Sequence, residues 1–154
     1  MAQANPATET LTREITRVFD APRHLVFQAW TQKEHMDQWS APRGYSIAFS
    51  EGELRVGGRW RCCMRASDGT ELWLGGVYRD IVEDELLVFT HVWEEDGAPG
   101  HETLVTVRFG DIGKKTKVEF RQEFFDSRAS RDGHAEGWTE CFDLLDALLI
   151  RIQS

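Results

Sequence analysis

The chain has 154 residues, of which 41% are hydrophobic and 29% charged, and its net charge is −8. That length suffices for one domain with a real core and leaves little room for two. The acidic balance argues against a nucleic-acid or anionic-membrane surface, since both need clustered Lys and Arg, and no apolar run approaches the roughly 20 residues of a membrane span.

The start, MAQANPATET, lacks a basic and apolar leader pattern. Residues 1–12 are therefore expected to be a frayed tail on a cytoplasmic protein whose single domain is 13–154. The three cysteines, Cys62, Cys63 and Cys141, are odd in number and two are adjacent. They read as reduced thiols acting as small apolar residues.

Along the chain, EITRVFD from Glu14 to Asp20 alternates and predicts a strand. DAPRHLVFQAW predicts a helix capped by Asp20, with Pro22 in its first turn and Leu25, Val26, Ala29 and Trp30 on one face. TQKE reads as a capping box of Thr31 with Glu34 that opens a second short helix through Met36 and Trp39. From Tyr45 to Phe125 the period changes to two. The segments YSIAFS, GRWRCCMRAS, ELWLGGVYRDI, LLVFTHVW, ETLVTVRF and TKVEFRQEFF are joined by turn-rich connectors and predict an antiparallel meander.

The stretch RDGHAEGWTECFDLLDALLIRI closes the chain as a helix. Its stripe is Trp138, Cys141, Phe142, Leu145, Leu148, Leu149 and Ile152. The order β-α-α-β6-α gives an α+β fold in which this last helix, the only element long enough, covers the apolar face of a curved sheet.

The DG at Asp68 and Gly69 reads as a two-residue hairpin turn. It pairs Met64 with Trp73, Cys62 with Gly75 and Trp60 with Val77. Trp60, Cys62, Met64, Trp73 and Val77 then share one face, and Arg59, Arg61 and Arg65 the other. A slip of one residue inverts these faces. Alternation groups Leu87, Phe89, His91 and Trp93, then Val105, Val107 and Phe109, then Val118, Phe120, Gln122 and Phe124.

Gly133 and Gly137 each weaken a helix by about 1 kcal/mol relative to Ala. With Cys141 they form a bare track beside Trp138 and His134. Such a track either lets the helix approach the sheet closely or leaves a void beneath it. The second alternative makes a ligand cavity, mostly apolar with a few polar groups. Its expected lining is Trp60, Cys62, Met64, Trp73, Val77, Phe89, His91, Trp93, Val105, Val107, Phe120, Gln122, His134, Trp138 and Phe142. His91 reads either as an orienting donor or general base, or as a core histidine bonded to a neighbour such as Gln122.

The blocks FDAPRHLVFQAWTQKEHMDQW, VGGRWRCCMRASDGTE, GGVYRDIVEDELLVFTHVW, GHETLVTVRF and RDGHAEGWTECFDLLDALL resemble the bacterial single-domain proteins similar to the C-terminal domain of the heat-shock-protein-90 ATPase activator. These belong to the START-like, or SRPBCC, helix-grip superfamily. The resemblance implies a curved antiparallel sheet gripping a long C-terminal helix, with a cavity between them that holds apolar small molecules in many relatives. It carries no shared catalytic signature. Ser40 stands where the family often has Trp or Gly after Trp39. The N-terminal domain of the full eukaryotic co-chaperone is not part of the match.

The sequence offers little other chemistry. His24, His35, His91, His101 and His134 are scattered, with no metal-ligand spacing. GDIGKKT fails the phosphate-loop spacing, VGGRW and LGGVY lack the dinucleotide fingerprint, and no G-x-S-x-G elbow occurs. Cys62 has no predicted base beside it. The expectation is a protein that binds an apolar or aromatic molecule, without cofactor or metal, rather than an enzyme. The alternatives are a cyclase- or hydrolase-type cavity enzyme and a co-chaperone-like protein with a chaperone partner. The ETLVTVRF strand, as an edge, or the arginine face offers a surface for a homodimer.

Overall fold

A computed structural model describes residues 11–153. Strand β1 is Arg13–Phe19, followed by helices α1 (Arg23–Thr31) and α2 (Lys33–Trp39). Six strands follow: β2 (Tyr45–Gly52), β3 (Arg59–Ala66), β4 (Glu71–Val82), β5 (Leu86–Glu95), β6 (Ala98–Ile112) and β7 (Lys115–Glu123). Helix α3 (Arg128–Gln153) completes the order. The strands form one antiparallel sheet in the order β1-β7-β6-β5-β4-β3-β2. Register shifts at Ile47/Phe49, Tyr78/Asp80 and Val92/Glu94 mark bulges, which bend strands and add twist. The result is a half-barrel around α3, the α+β helix-grip fold.

The C-terminal half of α3 packs solidly. Cys141, Phe142, Leu145, Leu148 and Leu149 are buried against Phe19, Trp30, Val107 and Phe120. Spacings of three and four put these residues on one helical stripe. Arg17 of β1 pairs with Asp143 at 2.7 Å, and the Gln153 amide donates to the Asp20 carbonyl. Ile152, expected in the stripe, is 37% exposed in the last turn of the helix.

Several local expectations are corrected. The residue before α1 is Pro22, and Asp20 makes no cap. Thr31 belongs to α1, where its hydroxyl bonds back to the Phe27 carbonyl, so Gln32 precedes α2 and no capping box forms. ETLVTVRF is no edge strand: β6 lies inside the sheet between β5 and β7. Phe124 turns outward at φ 71°, and Phe125 is buried in its place. Of the expected tail, residues 1–10 lie outside the described residues, while the Leu11 carbonyl accepts from the Phe125 N–H.

The β3–β4 hairpin turns through three residues, not two. The Gly69 N–H donates to the Ala66 carbonyl, Ala66 N–H donates to the Thr70 carbonyl, and Gly69 sits at φ 89°. This is a type I turn closed by a left-handed glycine. The pairs are therefore Met64–Leu72, Cys62–Leu74 and Trp60–Gly76. The β3 faces stand as expected, while β4 is inverted from Leu72 to Tyr78, as far as its bulge.

Candidate functional site: a cavity beneath the C-terminal helix

A cavity of about 510 Å³ lies between the N-terminal half of α3, helix α2 and the inner face of β2–β5. The sheet supplies a floor of Trp60, Met64, Leu74 and Phe89, α2 supplies Met36 and Trp39, and Trp138 closes the roof. Gly133 and Gly137 also face the cavity, and a Cβ built on either meets nothing within 4 Å. The two glycines thus border open space instead of allowing close helix–sheet packing.

Of the residues expected at the site, Trp60, Cys62, Met64, Phe89, His91, Trp93, His134 and Trp138 line this cavity. Trp73 and Val77 do not, because the three-residue turn puts them on the outer face opposite Cys63 and Arg59. There the Arg61 guanidinium lies 4.1 Å from the Trp73 ring centroid and pairs bidentately with Glu94 at 2.7 and 2.9 Å. Arg65 pairs with Glu71. Val105, Val107, Phe120, Gln122 and Phe142 point inward but fill the core instead of lining the void. They lie on strands and helix turns that touch directly, a difference period two cannot register.

Other lining residues were missed, among them Met36, Tyr45, Leu72, Leu74 and Tyr78. The last three follow once SDG is read as a three-residue loop with glycine at its left-handed position. Met36 and Tyr45 reach the cavity because α2 packs against β2 and α3, which local patterning does not encode.

Hydrogen bonds fix the roof. Trp138 Nε1 donates to Gln122 Oε1 at 2.9 Å, Gln122 Nε2 donates to Thr103 Oγ1 at 2.8 Å, and Thr103 Oγ1 donates to the His91 carbonyl at 3.0 Å. Gln122 is completely buried and serves Trp138 and Thr103, not His91. Trp93 Nε1 donates to His134 Nε2 at 2.7 Å, and His134 Nδ1 lies 2.7 Å from the Ser130 carbonyl. An indole N–H can only donate, so Nε2 accepts and the His134 proton sits on Nδ1.

Burial holds His91, Tyr78 and the cysteine thiols neutral. Desolvation, helped by nearby His134, pushes the His91 pKa down to about 3. Its ring is surrounded by Trp60, Trp93, His134 and Trp138 at centroid distances of 5.5 to 6.1 Å. Burial raises the Tyr78 phenol and pushes the Cys62 and Cys141 thiols up to about 12. At the rim, Lys33 Nζ contacts Asp37 and Ser50 at 2.7 and 2.9 Å. Away from the cavity, His24, Glu83 and Asp84 bring their donor atoms within 4.8 Å of one another on the surface.

One glycine is dictated by close approach. Gly76 pairs with Trp60, and the β4–β5 register sets it opposite His91. A Cβ there would lie 1.9 Å from the Thr90 carbonyl oxygen and 2.8 Å from Trp60 Nε1. The gap lets the Trp60 ring lie across β4, 6.0 Å from His91.

Solved structures share this architecture. A protein from Arthrobacter aurescens is 24% identical, over 96% of this chain and 90% of that one, with a TM-score of 0.85. One from Chromobacterium violaceum is 24% identical, over 90% and 96%, with a TM-score of 0.83. One from Rhizobium leguminosarum is 27% identical, over 91% and 94%, with a TM-score of 0.80. No curated protein matches the chain significantly. No helix among the described residues is long and apolar enough to cross a membrane. The model of the activator of Hsp90 ATPase homolog 1-like protein family matches residues 20–150. With that match spanning most of a helix-grip domain, the chain belongs to the activator of Hsp90 ATPase homolog 1-like protein family.

Proposed function

We propose that this protein binds an apolar small molecule in the cavity beneath the N-terminal half of α3. The observation that carries this reading is an open volume of about 510 Å³, bordered by glycines at two helical positions where a side chain would meet empty space. Small-molecule sites typically span about 300–1,000 Å³ with mostly apolar walls. Binding would be driven by removing ligand and wall from water, at roughly 25 cal/mol per Å² of apolar area.

The same chemistry favours holding a molecule over transforming it. A general base works best with a pKa near the operating pH. His91 is pushed far below that, both ring nitrogens of His134 are committed, and the Cys62 and Cys141 thiols are far too weakly acidic to supply thiolate.

Titration with N-phenyl-1-naphthylamine, a neutral probe that brightens in apolar surroundings, tests the proposal. Wild type should bind it, and Gly137→Leu, which projects a side chain into the void, should lose binding while retaining the fold. No binding by wild type, or equal binding by a folded Gly137→Leu variant, would overturn the reading. Native mass spectrometry of freshly purified protein then searches for the natural guest.

A further inference from the structure

We infer that the cavity selects a neutral aromatic molecule bearing a hydroxyl or carbonyl group, received by Tyr78 and His91 on the floor; this rests on the small-molecule reading above. Tyr78 is 8% exposed and His91 5%, and both line the cavity. His91 Nδ1 and Trp60 Nε1 are buried without a hydrogen-bond partner, and the hydroxyl of Tyr78, which lines the cavity, makes no hydrogen bond among the described residues. Buried polar groups are almost always paired, and leaving one unmet is unfavourable. Buried nitrogens left unmet at His91 and Trp60, beside an unbonded Tyr78 hydroxyl on the same wall, therefore point to a polar atom supplied from outside the chain.

The placement of Tyr78 and His91 makes them a pair. Tyr78 faces Phe89 across the β4–β5 ladder, and His91 lies two residues further along the same face of β5. Such diagonal neighbours are about 7–8 Å apart, close enough to converge on one functional group. A phenol donates and accepts, and a neutral imidazole does both through its two nitrogens. Together they can satisfy a hydroxyl or a carbonyl.

The surroundings select against an anion. The rim ammonium of Lys33 is already engaged by Asp37 and Ser50. The Arg61 guanidinium points to the outer face and is paired with Glu94. Asp37 and Glu51 also border the cavity, so a carboxylate would be desolvated beside like charge without a free cation. The His91 imidazole, neutral at physiological pH, supplies none. Trp60, Phe89 and Trp138 present aromatic walls, which favour a flat ring in offset or edge contact.

Calorimetric titration with 2-naphthol, naphthalene and 2-naphthoate tests this at pH 7. 2-Naphthol should bind about tenfold tighter than naphthalene, the worth of one or two net hydrogen bonds, and 2-naphthoate should bind weakest. Tyr78→Phe, which removes one oxygen, should bring the naphthol-to-naphthalene ratio toward one, as should His91→Leu. Equal binding of naphthol and naphthalene by wild type, tightest binding of the naphthoate, or an unchanged ratio in both folded variants would overturn the inference while leaving the apolar-ligand reading intact. Failure of all three compounds, together with the neutral fluorescent probe, would overturn both.

Discussion

The Trp138 indole donates to the buried Gln122 carboxamide at 2.9 Å, so the roof of the cavity is tied to strand β7 by a single directed bond. That bond holds the ring beside Phe120 and Trp30, at centroid distances of 4.7 and 6.0 Å. Gln122→Leu should release Trp138 and leave Thr103 without its amide donor. Removing one partner of a buried hydrogen bond costs about 1–3 kcal/mol. Urea denaturation should show a loss of that size, with weaker binding of the naphthylamine probe. Unchanged values for both would show that the bond does not position the roof.

Three glycines should respond with opposite signs. Gly133→Ala and Gly137→Ala place a methyl group in open space, so each should raise stability by up to about 1 kcal/mol through helix propensity alone. Gly76→Ala drives its Cβ into the Thr90 carbonyl and should severely destabilise the protein or prevent folding. Thermal or chemical denaturation of the three variants separates the two situations.

Acid should weaken the fold through His91. Its pKa falls from an ordinary 6.5 to about 3 on folding, so between those values the unfolded chain binds more protons. Stability from the neutral ring is fully present above pH 6.5 and is lost progressively as pH falls toward 3. From pH 7 to pH 5 the loss should be about 2 kcal/mol. A His91→Leu variant should show a shallower decline over the same range. Parallel curves for the two proteins would contradict this account.

The register itself is testable in solution. Trp73→Ala removes an indole from the outer face, so probe affinity should change by no more than about twofold. Trp60→Ala opens the floor and should change it by far more. Had the hairpin closed through two residues, the loss would fall on Trp73 as well.

Much of the fold was legible because its signals are local and repeated. Alternation from Tyr45 onward marked the strands, and the spacing of Phe142, Leu145, Leu148 and Leu149 marked the gripping helix. The resemblance supplied their arrangement. The site was only partly legible. One extra residue in a turn moved Trp73 and Val77 outside and brought Leu72, Leu74 and Tyr78 in. Phe120 and Trp138 both look inward by pattern, yet one fills space and the other borders it. That distinction depends on how far α3 stands from each strand, a distance set by side-chain volumes on several elements at once.

The uneven support of α3 has a consequence for handling the protein. The later turns of the helix rest on a dense bed of Leu and Phe, while the earlier turns bridge a hollow. Amide exchange should accordingly be faster near Gly133 than near Leu145. A guest in the hollow would act as a keystone, contributing RT ln(1 + [L]/Kd), or about 2.7 kcal/mol at a hundredfold excess over Kd. The melting temperature of a preparation would then double as a gauge of occupancy, with different batches melting differently according to what each had carried out of the cell.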